Sequence, residues 1–422
     1  MSLSRSKIDR AGKALAMQDD LSVEDTRKFH DIFDEYRKSH LQPLTDCTVK
    51  LQNWLSSLGI KYYVAQRLKR KPQIIRKLNR FSVRLTQLQD IGGCRIVVNE
   101  NKDIDNVVKF INKEILGAVG FSIKRITDYR ENGRDDTGYR ALHIILDHSG
   151  CALELQIRSQ VQHYWAESIE RTSVIYGYRL KEKEGDDQVI NYFKRLSAVF
   201  HEIESGRKPS PQQKIDIDLL REKAENTIRN SDSNRVFDSY VNEDIIKTLI
   251  AKEEKRAGFN NWIIVFDWNT GSFVTWDIVS RDSDKASQKY VEYEYQYPAS
   301  DGFEVVMIGS SDVATIRQTH SHYFGIGSYD SVLERLDQSV VGFSRRIDID
   351  SDARQILLAL HNRKFYGRAC SIQTLKNHYC KSVMSFDSSL RLLVDKDLVS
   401  MSSTNGPVSL NSRKSGEILG YL

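Results

Sequence analysis

Nowhere in these 422 residues does an uninterrupted apolar run approach the roughly 20 residues needed to cross a bilayer. The opening stretch MSLSRSKIDRAGKAL also lacks the continuous apolar core of a secretory signal. Together these absences lead us to expect no membrane partner. The five cysteines (Cys47, Cys94, Cys151, Cys370 and Cys380) show no CxxC spacing and leave one over, which argues against a zinc site and a disulfide framework and for a reducing, cytoplasmic setting. Neither sign of charge dominates: 62 basic side chains face 57 acidic ones, a formal +5, which suits contact with polyanions without demanding one. No internal repeat is evident. What is present is an ordinary globular balance, 40% apolar and 28% charged, in a chain long enough for two or three domains.

Apolar spacing predicts a helix opening at Ser22 with Phe29, Ile32 and Phe33 on one face, and a second following Pro43 with Val49, Leu51, Trp54 and Leu55. Residues 1–60 thus read as a helical lead-in. Between Cys94 and Ser159 the period falls to two, predicting strands at Cys94–Val98, Ser122–Tyr129, Tyr139–Leu146 and Ala152–Ile157. The last two would be joined by the turn Asp147-His148-Ser149-Gly150. Helices are expected over Asn106–Leu116, after Gln160, and over Val189–Glu204. Ser205–Gln213, with Gly206, Pro209 and Pro211, is the expected linker. Beyond it, strands at Trp262–Phe266, Phe273–Trp276 and Phe303–Ile308 and helices near Lys285–Tyr293 and Ser328–Leu336 suggest a small α/β regulatory domain over 214–342. Three amphipathic segments and a hairpin suggest a winged helix over 345–422.

Several residues invite chemistry, each with a plain structural alternative. Arg67, Lys69 and Arg76 form a cationic cluster that, on one ordered element, can clamp a polyphosphate; taken in isolation, a solvated basic helix face is the preferred reading. Asp90 enters Ile91-Gly92-Gly93-Cys94-Arg95, where a carboxylate can ligate Mg²⁺ or simply form a turn. In Leu153-Glu154-Leu155-Gln156-Ile157-Arg158 the apolar residues share one strand face and Glu154, Gln156 and Arg158 the other. Tyr139, Ala141 and His143 repeat that alternation, after a Gly138 that allows close approach of ligand or backbone. For Trp262, Trp268, Trp276, Tyr290, Tyr293, Tyr295 and Tyr297 we expect core and interface packing over a ligand cage.

Taken in order, these segments resemble the RelA/SpoT synthetase domain. The resemblance rests on Arg67-Leu68-Lys69 with Arg76-Lys77-Leu78, on Asp90 to Arg95, on Asp128-Tyr129 through Gly138-Tyr139-Arg140-Ala141-Leu142-His143, and on Glu154 to Arg158 with Trp165-Ala166-Glu167. It implies an α+β fold for 61–207, a mixed β-sheet flanked by helices of nucleotidyltransferase-like type. The implied activity is Mg²⁺-dependent transfer of pyrophosphate from ATP to the 3′-hydroxyl of GDP or GTP. Arg67, Lys69, Arg76 and Arg95 would bind ATP. Asp90 and Glu154 would hold the metal, with Glu154 alternatively the base. Arg134, Tyr139, His143, Gln156 and Arg158 would meet the acceptor.

The sequence departs from the family pattern before the tyrosine, where a Pro-Lys pair is usual and Gly133-Arg134-Asp135-Asp136-Thr137-Gly138 stands here, which puts acceptor choice in doubt. The lead-in is too short for the hydrolase domain of bifunctional members, so synthesis alone is expected. Two rivals are a toxic pyrophosphokinase acting on adenosine nucleotides or the tRNA 3′ end, and a nucleotide-sensing regulator whose tail binds DNA or a partner. Homo-oligomerisation stays open.

Overall fold

The computed structural model describes residues 3–17; 21–231 apart from 61, 117, 135, 136 and 208; 259–310 apart from 271, 280 and 281; 316 and 349; and 351–421 apart from 382, 384, 385, 404, 405 and 420. The helix expected near Ser328–Leu336 lies outside the described residues. No described helix is long and apolar enough to cross a membrane.

Three helices lead in: α1 (Arg5–Met17), α2 (Val23–Lys38) and α3 (Leu41–Leu55). Ser22 caps α2 by accepting from the Asp25 amide at 3.1 Å, as the sequence suggests. Helix α3 starts before Pro43, which its first turn tolerates because the amides there have no intrahelical partner. Next come β1 (Tyr62–Leu68), α4 (Lys71–Phe81), β2 (Gly92–Val98), α5 (Asn101–Leu116), β3 (Phe121–Asp128), β4 (Leu142–His148), β5 (Cys151–Ser159), α6 (Gln160–Tyr176), α7 (Asp187–Glu204) and α8 (Pro211–Arg229). Then follow β6 (Asn260–Asp267), β7 (Ser272–Val279), α9 (Ser283–Gln296) and β8 (Phe303–Ser310).

All eight strands form one sheet in the order β3-β4-β5-β2-β1-β8-β6-β7. Strands β2 and β5 run parallel and the other neighbours antiparallel, so the sheet is mixed and the fold α+β. Cys94, Ile96 and Val98 of β2, with alternate residues of β4 and β5, bury one face against α3 and α5. That packing turns Arg95, Glu154, Gln156, Arg158 and His143 to the other face, toward α6.

The strands expected for a separate unit at 214–342 are present, but they extend this same sheet. Gln66 and Arg67 of β1 pair with Gly309 and Ile308 of β8. The reason lies in β6, which is apolar on both faces. Trp262, Ile264 and Phe266 join the core of α6, α7 and α8, while Ile263 and Val265 join that of α1, α2 and α4. A strand buried on both sides belongs inside a sheet, with neighbours on each edge. The expected linker at Ser205–Gln213 is accordingly a tight connection, since α8 starts on a Ser210 cap with Pro211 in its first turn and returns Ile217, Ala224 and Ile228 to that core.

Residues 351–421 hold their own core. Helix α10 (Ser351–Asn362), a helical turn at Ile372–Thr374 continued as a π-helix over Leu375–Tyr379, α11 (Phe386–Asp395), the hairpin β9 (Val399–Met401) and β10 (Val408–Leu410), and α12 (Ser415–Leu419) follow in the order from which the sequence suggests a winged helix.

Candidate active site

Strand register builds the site in rows. Gly93 lies opposite Arg67 on one side and Glu154 on the other, and Arg95 lies beside Gln156, which faces His143. The cations read as one cluster are divided: Arg67 is on β1, Lys69 follows it, and Arg76 is on α4. Arg76 pairs with Glu182 at 3.8 Å, and it is the neighbouring Lys77 that reaches Asp90, at 2.7 Å.

Asp90 Oδ2 accepts hydrogen bonds from both Lys69 and Lys77. Burial alone would raise this carboxyl, but the two ammonium groups outweigh it and hold the pKa below the usual range, with Glu154 pulling weakly upward. Lys69 is itself lowered, burial prevailing over the attraction of Asp90 and Glu154. The two acids therefore share one neighbourhood around Lys69. Asp90 Oδ1 is buried and has no hydrogen-bond partner among the described residues.

Glu154 stands in a closed ring of hydrogen bonds. His143 Nδ1 lies 3.0 Å from its Oε1, and Gln156 Nε2 donates to its Oε2 at 2.7 Å. Arg158 donates to Gln156 Oε1 at 2.9 Å and to the Tyr139 hydroxyl at 2.7 Å, and that hydroxyl lies 2.8 Å from His143 Nε2. Burial opposes the charge on Glu154, yet His143 above all, then Gln156 and Lys69, bring its pKa down to about 2. His143 moves up despite its burial because Tyr139 and Glu154 favour the imidazolium, and Tyr139 moves down because Arg158 and His143 outweigh its burial.

Tyr139 precedes β4 instead of lying on it, so it meets His143 through its hydroxyl and not by strand alternation. Its ring carries the Arg158 guanidinium, 4.9 Å from the centroid. Gly138 allows backbone, not ligand, to approach: at φ 84°, a Cβ there would stand 3.1 Å from Lys194 Cα on α7. Arg134 is exposed, with its guanidinium 5.7 Å from the centre of the Tyr129 ring, at the rim. Arg95 pairs with Glu167 of α6 at 3.4 Å, and Lys181 with Glu170 at 2.8 Å. The sequence reading missed Lys77 as a site cation. Pro72, a mark of a helix start, is the signal that Arg67 and Lys77 occupy different elements around Asp90.

Among the described residues, no group of three or more His, Cys, Asp or Glu is gathered to hold a metal. Mg²⁺ needs only one or two carboxylates beside waters and substrate phosphates. The unpartnered Asp90 Oδ1, with Glu154 nearby, fits that demand.

Residues 66–181 match the family described as the region found in RelA / SpoT proteins. Over those residues the chain is similar to a RelA/SpoT region. All the residues of the rows and the ring fall inside that region, whereas α7, α8 and β6 to β8 fall outside it. The chain is 29% identical over 126 residues to a probable chloroplastic GTP diphosphokinase of Arabidopsis thaliana, covering 29% of this chain and 17% of the plant protein. It is likewise 29% identical over 142 residues to an uncharacterized protein of Mycobacterium tuberculosis, covering 33% of this chain and 48% of that one. Similar solved structures include the small alarmone synthetase 1 of Bacillus subtilis bound to its product pppGpp, at 19% identity and a TM-score of 0.32 over 42% of this chain and 93% of that one. A GTP pyrophosphokinase family protein of Streptococcus pneumoniae matches at 22% identity and 0.35, over 48% and 98%.

Proposed function

We propose that the RelA/SpoT region is a pyrophosphotransferase that moves the β,γ-pyrophosphate of ATP to the 3′-hydroxyl of GDP or GTP, releasing AMP. The observation that carries this reading is the Asp90 carboxylate, gripped on one oxygen by Lys69 and Lys77 while its other oxygen is buried and unpartnered beside Glu154.

Phosphoryl-type transfer depends chiefly on positioning and on neutralising charge at the phosphate oxygens. Arg67, Lys69 and Lys77 supply that charge to the donor, and Arg95, held by Glu167, adds a fourth cation. Asp90 and Glu154 would hold Mg²⁺, which when bound neutralises phosphate charge and acidifies the attacking hydroxyl. The acceptor's 3′-oxygen bonds to the β-phosphorus as the bond from that phosphorus to the α,β-bridging oxygen breaks, and AMP leaves with the electron pair. With a pKa near 2, Glu154 is a weak base that takes the proton only as the new bond forms, so its larger role is to carry fixed negative charge. Tyr139, His143, Gln156 and Arg158 place the acceptor, and Arg134 stands where it would enter. The strands that continue the sheet past β1 support regulation from the C-terminal half, because they touch the strand that bears Arg67.

Purified full-length protein with ATP, Mg²⁺ and a panel of acceptors (GDP, GTP, adenosine nucleotides, tRNA), read by mass spectrometry, should yield AMP and 3′-pyrophosphorylated GDP or GTP. Glu154→Gln and Asp90→Asn should each lower kcat by about 10²-fold or more, the scale of losing one electrostatic group of a transfer site. Product on the adenosine or tRNA acceptors alone would replace the guanosine assignment, and no product on any would exclude the activity.

A further inference from the structure

Between α4, the segment that follows α6, the turn after β6, helix α9 and the start of β8 lies a cavity of about 730 Å³, a volume typical of small-molecule sites. Arg70, Arg76 and Arg179 border it from the RelA/SpoT region, while Trp268, Tyr297 and Glu304 border it from the strands and helix added beyond that region. Neither Asp90, Glu154, Lys69 nor Lys77 is among its walls, so it is distinct from the carboxylate centre.

At one end of the cavity three guanidinium groups crowd together, each facing a carboxylate: Arg70 with Glu304, Arg76 with Glu182 and Arg179 with Glu184. The Arg76 guanidinium is lowered in pKa first by burial, then by the nearby charge of Arg179, with Arg70 adding to it. The Arg76 pair is the loose one, its Nε 3.8 Å from Glu182, whereas Arg179 donates to Glu184 at 3.4 Å and Arg70 is in close contact with Glu304. Arg76 Nε is buried without a hydrogen-bond partner among the described residues, and a buried donor left unused in a native fold calls for an acceptor. An oxyanion with several oxygens, such as a phosphate, would satisfy it and relieve the crowding of guanidinium groups.

The other side is aromatic and rigid. Trp268 donates its indole N–H to Glu304, which also pairs with Arg70, so the ring is pinned at the cavity's edge. Tyr297 packs edge-on against Phe303 at 5.4 Å. The packing role expected of the aromatic residues holds for Trp262 and Tyr290, each 1% exposed, and for Trp268 and Tyr297, which pack half-buried against the same cores and also border the cavity. A flat heterocycle has a surface to stack on there.

We propose that this cavity is a second nucleotide site, taking a nucleoside polyphosphate with its phosphates on Arg70, Arg76 and Arg179 and its base against Trp268. Its occupancy reaches the carboxylate centre through α4. Arg76 faces the cavity while Lys77, the next residue, holds Asp90, and Arg70 and Lys69 repeat that division at the start of the helix. A ligand gripping one side of α4 therefore moves the lysines on the other. This consequence for turnover rests on the pyrophosphotransferase reading; the binding itself does not.

Full-length protein is titrated with a non-hydrolysable ATP analogue, with GDP and with inorganic pyrophosphate, following tryptophan emission and calorimetric heat. Nucleotide should change the emission, and Trp268→Phe should abolish that change while leaving the heat. Arg179→Glu, at a side chain 48% exposed and thus tolerant of substitution, should weaken the emission response about tenfold or more. Lys77→Ala, at the carboxylate centre, should leave the response in place. No emission change at millimolar nucleotide, a full response to pyrophosphate alone, or a response lost in Lys77→Ala and kept in Arg179→Glu would each overturn the proposal. Because emission is read without turnover, a protein that binds here but transfers no pyrophosphate separates this inference from the catalytic one.

Discussion

At the residue scale the chemistry turns on how a buried glutamate stays ionised. Burial works against the charge on Glu154, and the ring through His143, Tyr139, Arg158 and Gln156 reverses that penalty. His143 contributes most, as hydrogen-bond partner and as a cation whose own pKa is raised. Removing it leaves burial less opposed, so the Glu154 pKa climbs. The sign follows: Glu154 works as an anion, activity falls on acidification through its pKa, and a higher pKa brings that fall at a higher pH. In His143→Ala the acid limb of the kcat profile should shift upward by about 2 units or more, within the range documented for buried carboxyls. A merely structural loss would lower kcat at every pH with the limb unmoved, and that outcome would refute the ring's role in holding the charge.

At the element scale, β1 is where the RelA/SpoT region meets the added strands. The junction is tight: a Cβ on Gly309 of β8 would stand 2.5 Å from Gln66 Cγ and 2.5 Å from Phe259 Cζ. Gln66 is buried there, donating to Thr45 at 3.0 Å and Asn261 at 3.4 Å. Gly309→Val should therefore pry β8 from β1, costing about 1–3 kcal/mol as overpacking does, read as a lower denaturant midpoint at an unchanged slope. A midpoint equal to wild type would mean that the strands are not closely joined. Strand alternation made β2, β3 and β5 legible in sequence, along with the faces carrying Glu154, Gln156 and Arg158. The joining of β8 to β1 was not legible, because paired neighbours as far apart in sequence as Gln66 and Gly309 leave no local period; they are adjacent only in space. The doubly apolar pattern of β6 was the available hint that those strands needed partners on both edges.

For the whole molecule, the arrangement of cores predicts where the chain can be divided. Composition suggests a cut at Ser205–Gln213, yet Trp262, Ile264, Phe266, Val306 and Ile308 share one core with Trp165, Phe193 and Leu196 across that point. Cutting there would bare the edge of β1 and half of an apolar core, an invitation to aggregation. Among the described residues, the core of residues 349–421 is by contrast composed only of residues from that stretch, Ile356, Leu357, Leu360, Phe386, Leu393 and Leu398 among them. A chain ending at residue 344 should thus keep the main melting transition within about 2–4 °C, the shift of roughly 1 kcal/mol in a domain of some 150–250 residues, whereas one ending at 210 should lose cooperative melting. Residues 345–422 alone should melt as a unit, followed by circular dichroism. If the chain ending at 210 instead melts sharply and stays monomeric, the shared core is not what holds the two halves of the sheet, and the cavity between them loses its rigid wall.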